Sequence, residues 1–133
     1  PMDSIEEQFR RMAFNIIGRN QDDHVKNIAF LMDRSGVWSL SPAFDITYSY
    51  NPSGAWTSTH QMSMNGKRDN FTLEDFRACA ENASMKRGRA EEILQQVQSA
   101  ILKWRSFARD AGVSDDLAAK IEMAQRRDIV RQS

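Results

Sequence analysis

The sequence has little cysteine, no cluster of glycines and no long apolar run. Its single cysteine, Cys79, cannot form an internal disulfide, which fits a protein of a reducing compartment. The six glycines are scattered, no two of them closer than 12 residues, so there is no glycine-rich loop for phosphates. No apolar run approaches the roughly 20 residues of a membrane helix, and no leader opens the chain. We therefore expect a cytoplasmic domain without a membrane span.

Charge of either sign is not in excess. The chain has 18 basic and 18 acidic residues, and its clusters of basic residues are short and lie among acidic residues. A nucleic-acid-binding protein usually has a clustered basic excess that neutralises phosphates. Direct binding of DNA or RNA is therefore disfavoured. The length of 133 residues, 41% of them apolar, predicts one domain over residues 1–133 with a real core.

Helical periodicity of apolar residues dominates both ends of the chain. A first helix is predicted from a capping box at Ser4 and Glu7 to a stop at Gly18. A second follows Thr72, an N-cap with acids in the first turn. A single long helix is predicted over 89–111, and a last one begins at the N-cap Ser114. We expect the charged tail, residues 126–133, to fray.

The middle of the chain has strand and turn signals instead. Two short apolar runs, 28–32 and 37–40, flank a turn-rich quartet and predict a β-hairpin. Pro42 ends the second strand and favours an extended approach to Asp45. Residues 47–70 read as a long loop with a short strand near Met62–Met64. The fold class expected is mainly α (α+β) with one small hairpin.

Three oxygen-bearing side chains around this hairpin suggest phosphoryl transfer. Asp22 lies five residues before Asn27, and Asp45 follows the hairpin. The catalytic loop of protein kinases has the same spacing between the Asp that accepts the substrate hydroxyl proton and an Asn that holds Mg²⁺. Amide and carboxylate oxygens are ligands that Mg²⁺ prefers. The hairpin would return Asp45 to the side of Asn27.

The same residues also suit roles outside a catalytic loop. Asp and Asn favour turns, so Asp22, Asp23 and Asn27 would fit a solvated loop, and Asp45 a turn or cap. His24 alone is more often structural than a ligand. A metal-dependent phosphohydrolase would normally need several histidines, and the chain has only two. A non-catalytic interaction module is the other function considered.

The segments 14–15, 20–27 and 40–45 resemble the C-terminal region of HipA-like serine/threonine kinases, the toxins of bacterial toxin–antitoxin modules. The similarity continues through His60–Arg68 and the helix that contains Trp104. The resemblance implies the helical C-lobe of a protein-kinase-like fold, with a small hairpin that carries the catalytic loop. The roles it implies are a catalytic base at Asp22, Mg²⁺ ligands at Asn27 and Asp45, and cofactor contacts at His24 and Lys26.

The same resemblance implies cofactors and partners. ATP and Mg²⁺ would be the cofactors, and the substrate a protein, with aminoacyl-tRNA synthetases the substrate class known for the family. The partner would be a helix-turn-helix antitoxin, through which DNA is reached only indirectly. The N-lobe that clamps the nucleotide lies upstream in full-length members and is absent from this chain. We therefore expect the chain alone to bind ATP poorly and to transfer phosphate slowly or not at all.

Overall fold

The computed structural model describes residues 1–131, which form five α-helices and one two-stranded antiparallel sheet. The predicted mainly α (α+β) class is confirmed. Short 3₁₀ turns lie at Val25–Asn27 and Ile129–Arg131. The elements are α1 (Met2–Gly18), β1 (Phe30–Met32), β2 (Trp38–Leu40), α2 (Leu73–Asn82), α3 (Arg89–Ile101), α4 (Trp104–Asp110) and α5 (Asp115–Ala124).

The core lies between α1, α2 and α3. Each helix turns an apolar stripe inward, and burying one such side chain stabilises the fold by about 1.5–3 kcal/mol. Phe9 of α1 and Phe76 of α2 meet edge to face, with ring centres 6.0 Å apart. The ion pair between Glu6 and Arg89, 3.1 Å long, joins α1 to α3 at the rim. The buried residues of α1 and α3 include Ala13, Ile16, Ile17, Ile93, Leu94, Val97 and Ile101.

The first helix differs from its prediction in where it begins and in which residue terminates it. It begins at Met2 with Pro1 as N-cap, and no side chain caps it, so the capping box at Ser4 and Glu7 is wrong. Glu7 instead accepts hydrogen bonds from Arg10 and Arg11. The helix does end at Gly18. The left-handed residue that terminates it, however, is Arg19 (φ 63°).

The backbone of Arg19 is held by its own side chain. Its Nε donates to the Ala124 carbonyl at 2.7 Å, and its guanidinium stacks 4.3 Å from the centre of the Tyr50 ring. A left-handed backbone is costly for a residue with a Cβ, and these contacts offset that cost. The end of α1, where the loop of residues 20–27 starts, is thereby fixed to α5.

The predicted long helix over 89–111 is wrong, because the chain breaks at Leu102 and Lys103 into α3 and α4. Tertiary contacts cause the break, since neither residue is Gly or Pro. The indole Nε1 of Trp104 donates to the Ala118 carbonyl at 2.9 Å, which turns α4 against α5. α5 itself begins as predicted, with the Ser114 hydroxyl accepting from the Leu117 amide.

The C-terminal tail does not fray over residues 126–131, so that prediction is wrong there. The Arg126 amide donates to the Ile17 carbonyl at 2.9 Å, and the Ile129 side chain is only 1% exposed. Residues 132 and 133 lie outside the described part of the chain. The tail therefore packs beside the C-terminal end of α1.

The predicted hairpin is confirmed. Phe30 pairs with Leu40 and Met32 with Trp38, and the Asp33 carboxylate accepts from the Ser35 and Val37 amides to close the turn. Near Met62–Met64 the structure has one isolated bridge, Met64 to Lys67, in place of the strand expected there. No helix within residues 1–131 is both long and apolar enough to cross a membrane.

Candidate functional site

The loop after α1 is anchored by buried polar residues. Asn20 and Gln21 are almost fully buried. The backbone amide of Gln21 donates to the Ser49 carbonyl at 2.9 Å, and Asn20 Nδ2 donates to Asn15 Oδ1 at 3.0 Å. A loop held in this way does not fit the alternative of a merely solvated connection. It is a stiff support for the residues that follow it.

A tight turn brings Asp22 and Asn27 together. The 3₁₀ turn is closed by the Asn27 amide, which donates to the His24 carbonyl at 3.0 Å. Asn27 Nδ2 donates to the Asp22 carbonyl oxygen at 3.2 Å. Because the amide nitrogen is engaged there, the Oδ1 atom of Asn27 remains for a cation. The Asp22 side chain is 47% exposed, so its carboxylate is open to solvent.

Asn27 and Asp45 line the same cleft, whose volume is about 310 Å³. The hairpin returns the chain, since the Ser41 amide donates to the Ala29 carbonyl at 2.9 Å. Asn20 Nδ2 then lies 3.5 Å from the Asp45 carbonyl oxygen, which joins the two segments. Asp45 is exposed and has a left-handed backbone (φ 53°). The structure thus brings both predicted metal ligands to one surface.

The remaining predicted residues lie at the edge of this cleft or outside it. His24 lines it, with Nε2 3.9 Å from Asp22 Oδ1, and its buried Nδ1 has no hydrogen-bond partner within residues 1–131. Lys26 is exposed to solvent. Neither Asp22 nor Lys26 is among the described residues that line the cleft. The structure therefore groups Asn27, His24 and Asp45 in the cleft and leaves the side chains of Asp22 and Lys26 outside it.

Cys79 of α2 also lines the cleft, half-buried, and packs against the core. Burial raises the pKa of its thiol. A buried thiol of this kind is an unreactive core group.

Sequence reasoning missed a buried hydrogen bond between a carboxylate and an imidazole next to Asp22. The Asp23 carboxylate accepts from His60 Nδ1 at 2.9 Å and from the Gln61 amide at 2.8 Å. Burial raises the pKa of Asp23, but the hydrogen bonds from His60 and from the Gln61 backbone amide outweigh it and lower that pKa. Asp23 is therefore an ionised structural anchor, and the His60 ring, 0% exposed, is its partner.

Arg126 completes this group from the C-terminal tail. Its Nη1 donates to His60 Nε2 at 3.0 Å, and its Nη2 donates to Asp69 Oδ1 at 2.6 Å. Because Nε2 accepts from a guanidinium, the imidazole proton lies on Nδ1 and points at Asp23. No local spacing could have revealed this group, because its members lie tens of residues apart. The resemblance through His60–Arg68 was the one signal that pointed to His60.

The donor set of the cleft fits Mg²⁺ only in part. Within residues 1–131 no three His, Cys, Asp or Glu side chains are grouped to hold a metal. Asn27 and Asp45 supply two hard oxygen ligands. Mg²⁺ is commonly bound by one or two carboxylates together with waters and substrate phosphates, so such a pair suits a cation that arrives with a nucleotide.

Comparison with known proteins identifies the family. The family model for the HipA-like C-terminal domain matches residues 1–105, which include the whole of this cleft. No curated protein matches the chain. Residues 106–131, with Arg126, lie beyond the matched range. With most of its length covered, including Asp22, Asn27 and Asp45, the chain belongs to the HipA-like C-terminal domain family.

Proposed function

We propose that the chain carries the phosphoryl-transfer site of a HipA-like serine/threonine kinase, which uses ATP with Mg²⁺ to phosphorylate a protein. The observation that supports this most is the meeting of Asn27 and Asp45 in one cleft, with Asn27 bonded to the Asp22 carbonyl. These residues come from two sides of the hairpin. Their convergence is what the kinase spacing requires.

In the proposed reaction the exposed Asp22 carboxylate orients the hydroxyl of a substrate serine or threonine. The hydroxyl oxygen bonds to the γ-phosphorus and its proton passes to Asp22. The bond from the γ-phosphorus to the β–γ bridging oxygen breaks, and ADP leaves with that electron pair. Asn27 and Asp45 would hold Mg²⁺, which supplies neutralisation of phosphate charge when bound.

His24 and Lys26 have supporting roles in this proposal. His24 lies beside Asp22 and lines the cleft, so it would order the loop. Lys26 is exposed on the same turn, and its flexible amine would reach a phosphate only when the nucleotide is bound.

The partners proposed follow the family. The substrate would be a cytoplasmic protein of the aminoacyl-tRNA synthetase class, and a helix-turn-helix antitoxin would bind the toxin and connect it to DNA. The even charge of the chain favours this indirect route to DNA. The activity of the whole toxin also requires a nucleotide-clamping N-lobe, and we propose that this chain supplies the C-lobe.

The test is phosphate transfer from labelled ATP by the longest natural chain that contains these residues. We expect Asp22→Asn to lower kcat by about 10²–10⁴-fold with little change in affinity for Mg-ATP. Asn27→Ala and Asp45→Asn should instead weaken Mg-ATP binding. Asp116→Asn, which alters an exposed carboxylate that does not line the cleft, is the matched control. Undiminished transfer by Asp22→Asn would sink the assignment.

A non-catalytic interaction module is the second candidate, and the hairpin favours it. Phe30, Met32 and Trp38 are 57–66% exposed and lie on one face of the hairpin, and a grouped exposed apolar surface can mark an interaction site. Binding of a helix-turn-helix antitoxin that is lost in Trp38→Ser, together with no Mg-ATP binding in calorimetry, would favour this function over catalysis.

A further inference from the structure

Arg126 is a buried cation far along the chain from the loop it contacts. Its side chain is 9% exposed. Burial, followed by the nearby charge of Arg19, lowers the pKa of the guanidinium despite its bond to Asp69. Taking a charged group out of water is costly unless its hydrogen bonds are satisfied. A buried arginine is therefore informative about what its bonds hold in place.

The guanidinium of Arg126 holds three separate segments. Nη1 donates to the Ile16 carbonyl at 2.6 Å, at the end of α1. Nη2 donates to Gln21 Oε1 at 3.3 Å, at the start of the functional loop. The third segment is reached through the His60 ring, at 3.0 Å. The planar, rigid fork of an arginine suits such a junction better than the single ammonium of a lysine.

The hydrogen bond from Arg126 to His60 connects Arg126 to the loop through Asp23. With its Nε2 occupied by Arg126, His60 donates from Nδ1 to Asp23, whose other oxygen accepts the Gln61 amide. Asp23 lies between Asp22 and His24 in the chain. Fixing its carboxylate therefore fixes the backbone that directs the Asp22 side chain and closes the turn to Asn27.

We propose that Arg126 is a positioning residue: through His60 and Gln21 it holds Asp23, and with it the backbone that carries Asp22 and Asn27. The inference rests on the proposed function for the use made of the loop. It also assigns a role to a segment that the family model does not match, since the match ends at residue 105. The C-terminal tail thus takes part in building the site.

Arg127 provides a matched control. It is the next residue, and its side chain is also largely buried (25% exposed). Its guanidinium donates to Gln125 Oε1 and to the Ile101 carbonyl, and none of its hydrogen bonds within the described residues goes to the loop. Replacing Arg127 removes an equivalent cation without touching His60 or Gln21.

The first test is amide hydrogen exchange in this chain, which needs no activity. The reporters are the backbone amides of Gln21, Asn27 and Gln61, each of which makes a hydrogen bond within the loop or to it. We expect Arg126→Ala to accelerate exchange at all three by at least roughly tenfold and to leave the α3 amides unchanged. Arg127→Ala should leave all three as in the wild type.

Arg126→Lys keeps the positive charge, and it tests the proposal if Arg126→Ala does not fold. A lysine cannot reach Ile16, Gln21 and His60 together, so we expect partial acceleration at the same three amides. Acceleration spread evenly over the loop and α3 would mean a merely structural role and would overturn the proposal. No acceleration at the loop amides would overturn it as well.

The second test uses phosphate transfer by the longest natural chain that contains these residues. Arg126→Ala should lower kcat by roughly tenfold or more and raise KM for Mg-ATP, because the misplaced loop carries both Asp22 and the proposed metal ligand Asn27. Millimolar guanidinium should restore part of kcat in Arg126→Ala but not in Asp22→Asn. Full kcat in Arg126→Ala overturns the positioning role. A wild type that transfers no phosphate overturns the proposed function alone, since the exchange test stands without it.

Discussion

Two adjacent carboxylates show how environment divides roles at the scale of single residues. Asp22 is half-exposed, and its carboxylate makes no short hydrogen bond in the described structure, whereas Asp23 is buried and bonded to His60 and Gln61. The same side chain is thus free of short hydrogen bonds at one position and a fixed anchor at the next. Both lie in a polar stretch of sequence, which gives no sign of which one is buried.

The Asp23–His60–Arg126 group makes a prediction about Asp23→Asn. Asp23 accepts at both carboxylate oxygens, from His60 Nδ1 and from the Gln61 backbone amide, whereas asparagine has one acceptor and one donor. In either orientation its Nδ2 would therefore face another donor. Two donors facing each other in a buried site should lower the free energy of unfolding by about 1–3 kcal/mol. Urea denaturation measures this.

The matched change, Asp22→Asn, should alter the free energy of unfolding by no more than about 0.5 kcal/mol, as for most surface substitutions. Equal losses for the two variants would contradict the role of Asp23 as a buried double acceptor.

Asp75 at the start of α2 predicts how stability depends on pH. Burial raises the pKa of Asp75, but hydrogen bonds from Lys67, Asn65 and Thr72 outweigh it and lower the pKa to about 2. Because this pKa lies below the unfolded value, the carboxylate stabilises the fold above about pH 4. That stabilisation, about 2 kcal/mol, should be lost as the pH falls from 4 toward 2.

The measurement is urea denaturation at a series of pH values for the wild type and Asp75→Asn. The variant should lose most of the pH dependence in this range. Glu74→Gln, which removes an exposed carboxylate from the same turn, should keep it. An unchanged slope in Asp75→Asn would contradict the role of Asp75.

At the scale of elements, turn and capping residues in the sequence predicted the helices and strands whose formation depends on contacts between near neighbours in the chain. The hairpin follows from its turn quartet, and α2 from Thr72 and Asp75, which form a reciprocal capping box. The break between α3 and α4 has no such signal, because the apolar periodicity continues through Leu102 and Lys103. It depends on a bond from Trp104 to a carbonyl in α5, which sequence spacing does not reveal.

This bond makes Trp104→Phe a test of the break. Phenylalanine keeps most of the ring packing but leaves the Ala118 carbonyl without its donor. We expect a loss of about 1–2 kcal/mol in the free energy of unfolding. Trp38→Phe, on the exposed hairpin, is the control and should change stability little. Equal effects would show that the bond does not stabilise the junction.

At the scale of the whole molecule, the core and the cleft both depend on the C-terminal tail. Its charge predicted fraying, yet Ile129 enters the core and Arg126 reaches the loop. The three site residues could be named from their spacing and from the family resemblance. The group that supports them could not, because it joins segments far apart in sequence. The single domain over residues 1–133, without an N-lobe, stays a prediction.

Ile129 tests this dependence. Ile129→Ala removes a side chain that is 1% exposed and should lower the free energy of unfolding by about 2–4 kcal/mol. Val130→Ala, at a partly buried neighbour, should cost less than half as much. Thermal or urea denaturation distinguishes them. Similar small losses for both would mean that the tail is not part of the core.

The lone thiol on the cleft wall has a practical consequence. Cys79 is the only cysteine of the chain, and its raised pKa leaves little thiolate at neutral pH. Alkylation by a maleimide should therefore be slow, because little of the reactive thiolate is present. A molecule that fills the cleft should slow the alkylation further. The rate of labelling at Cys79 therefore measures how much of the cleft is occupied, without a reporter engineered into the protein.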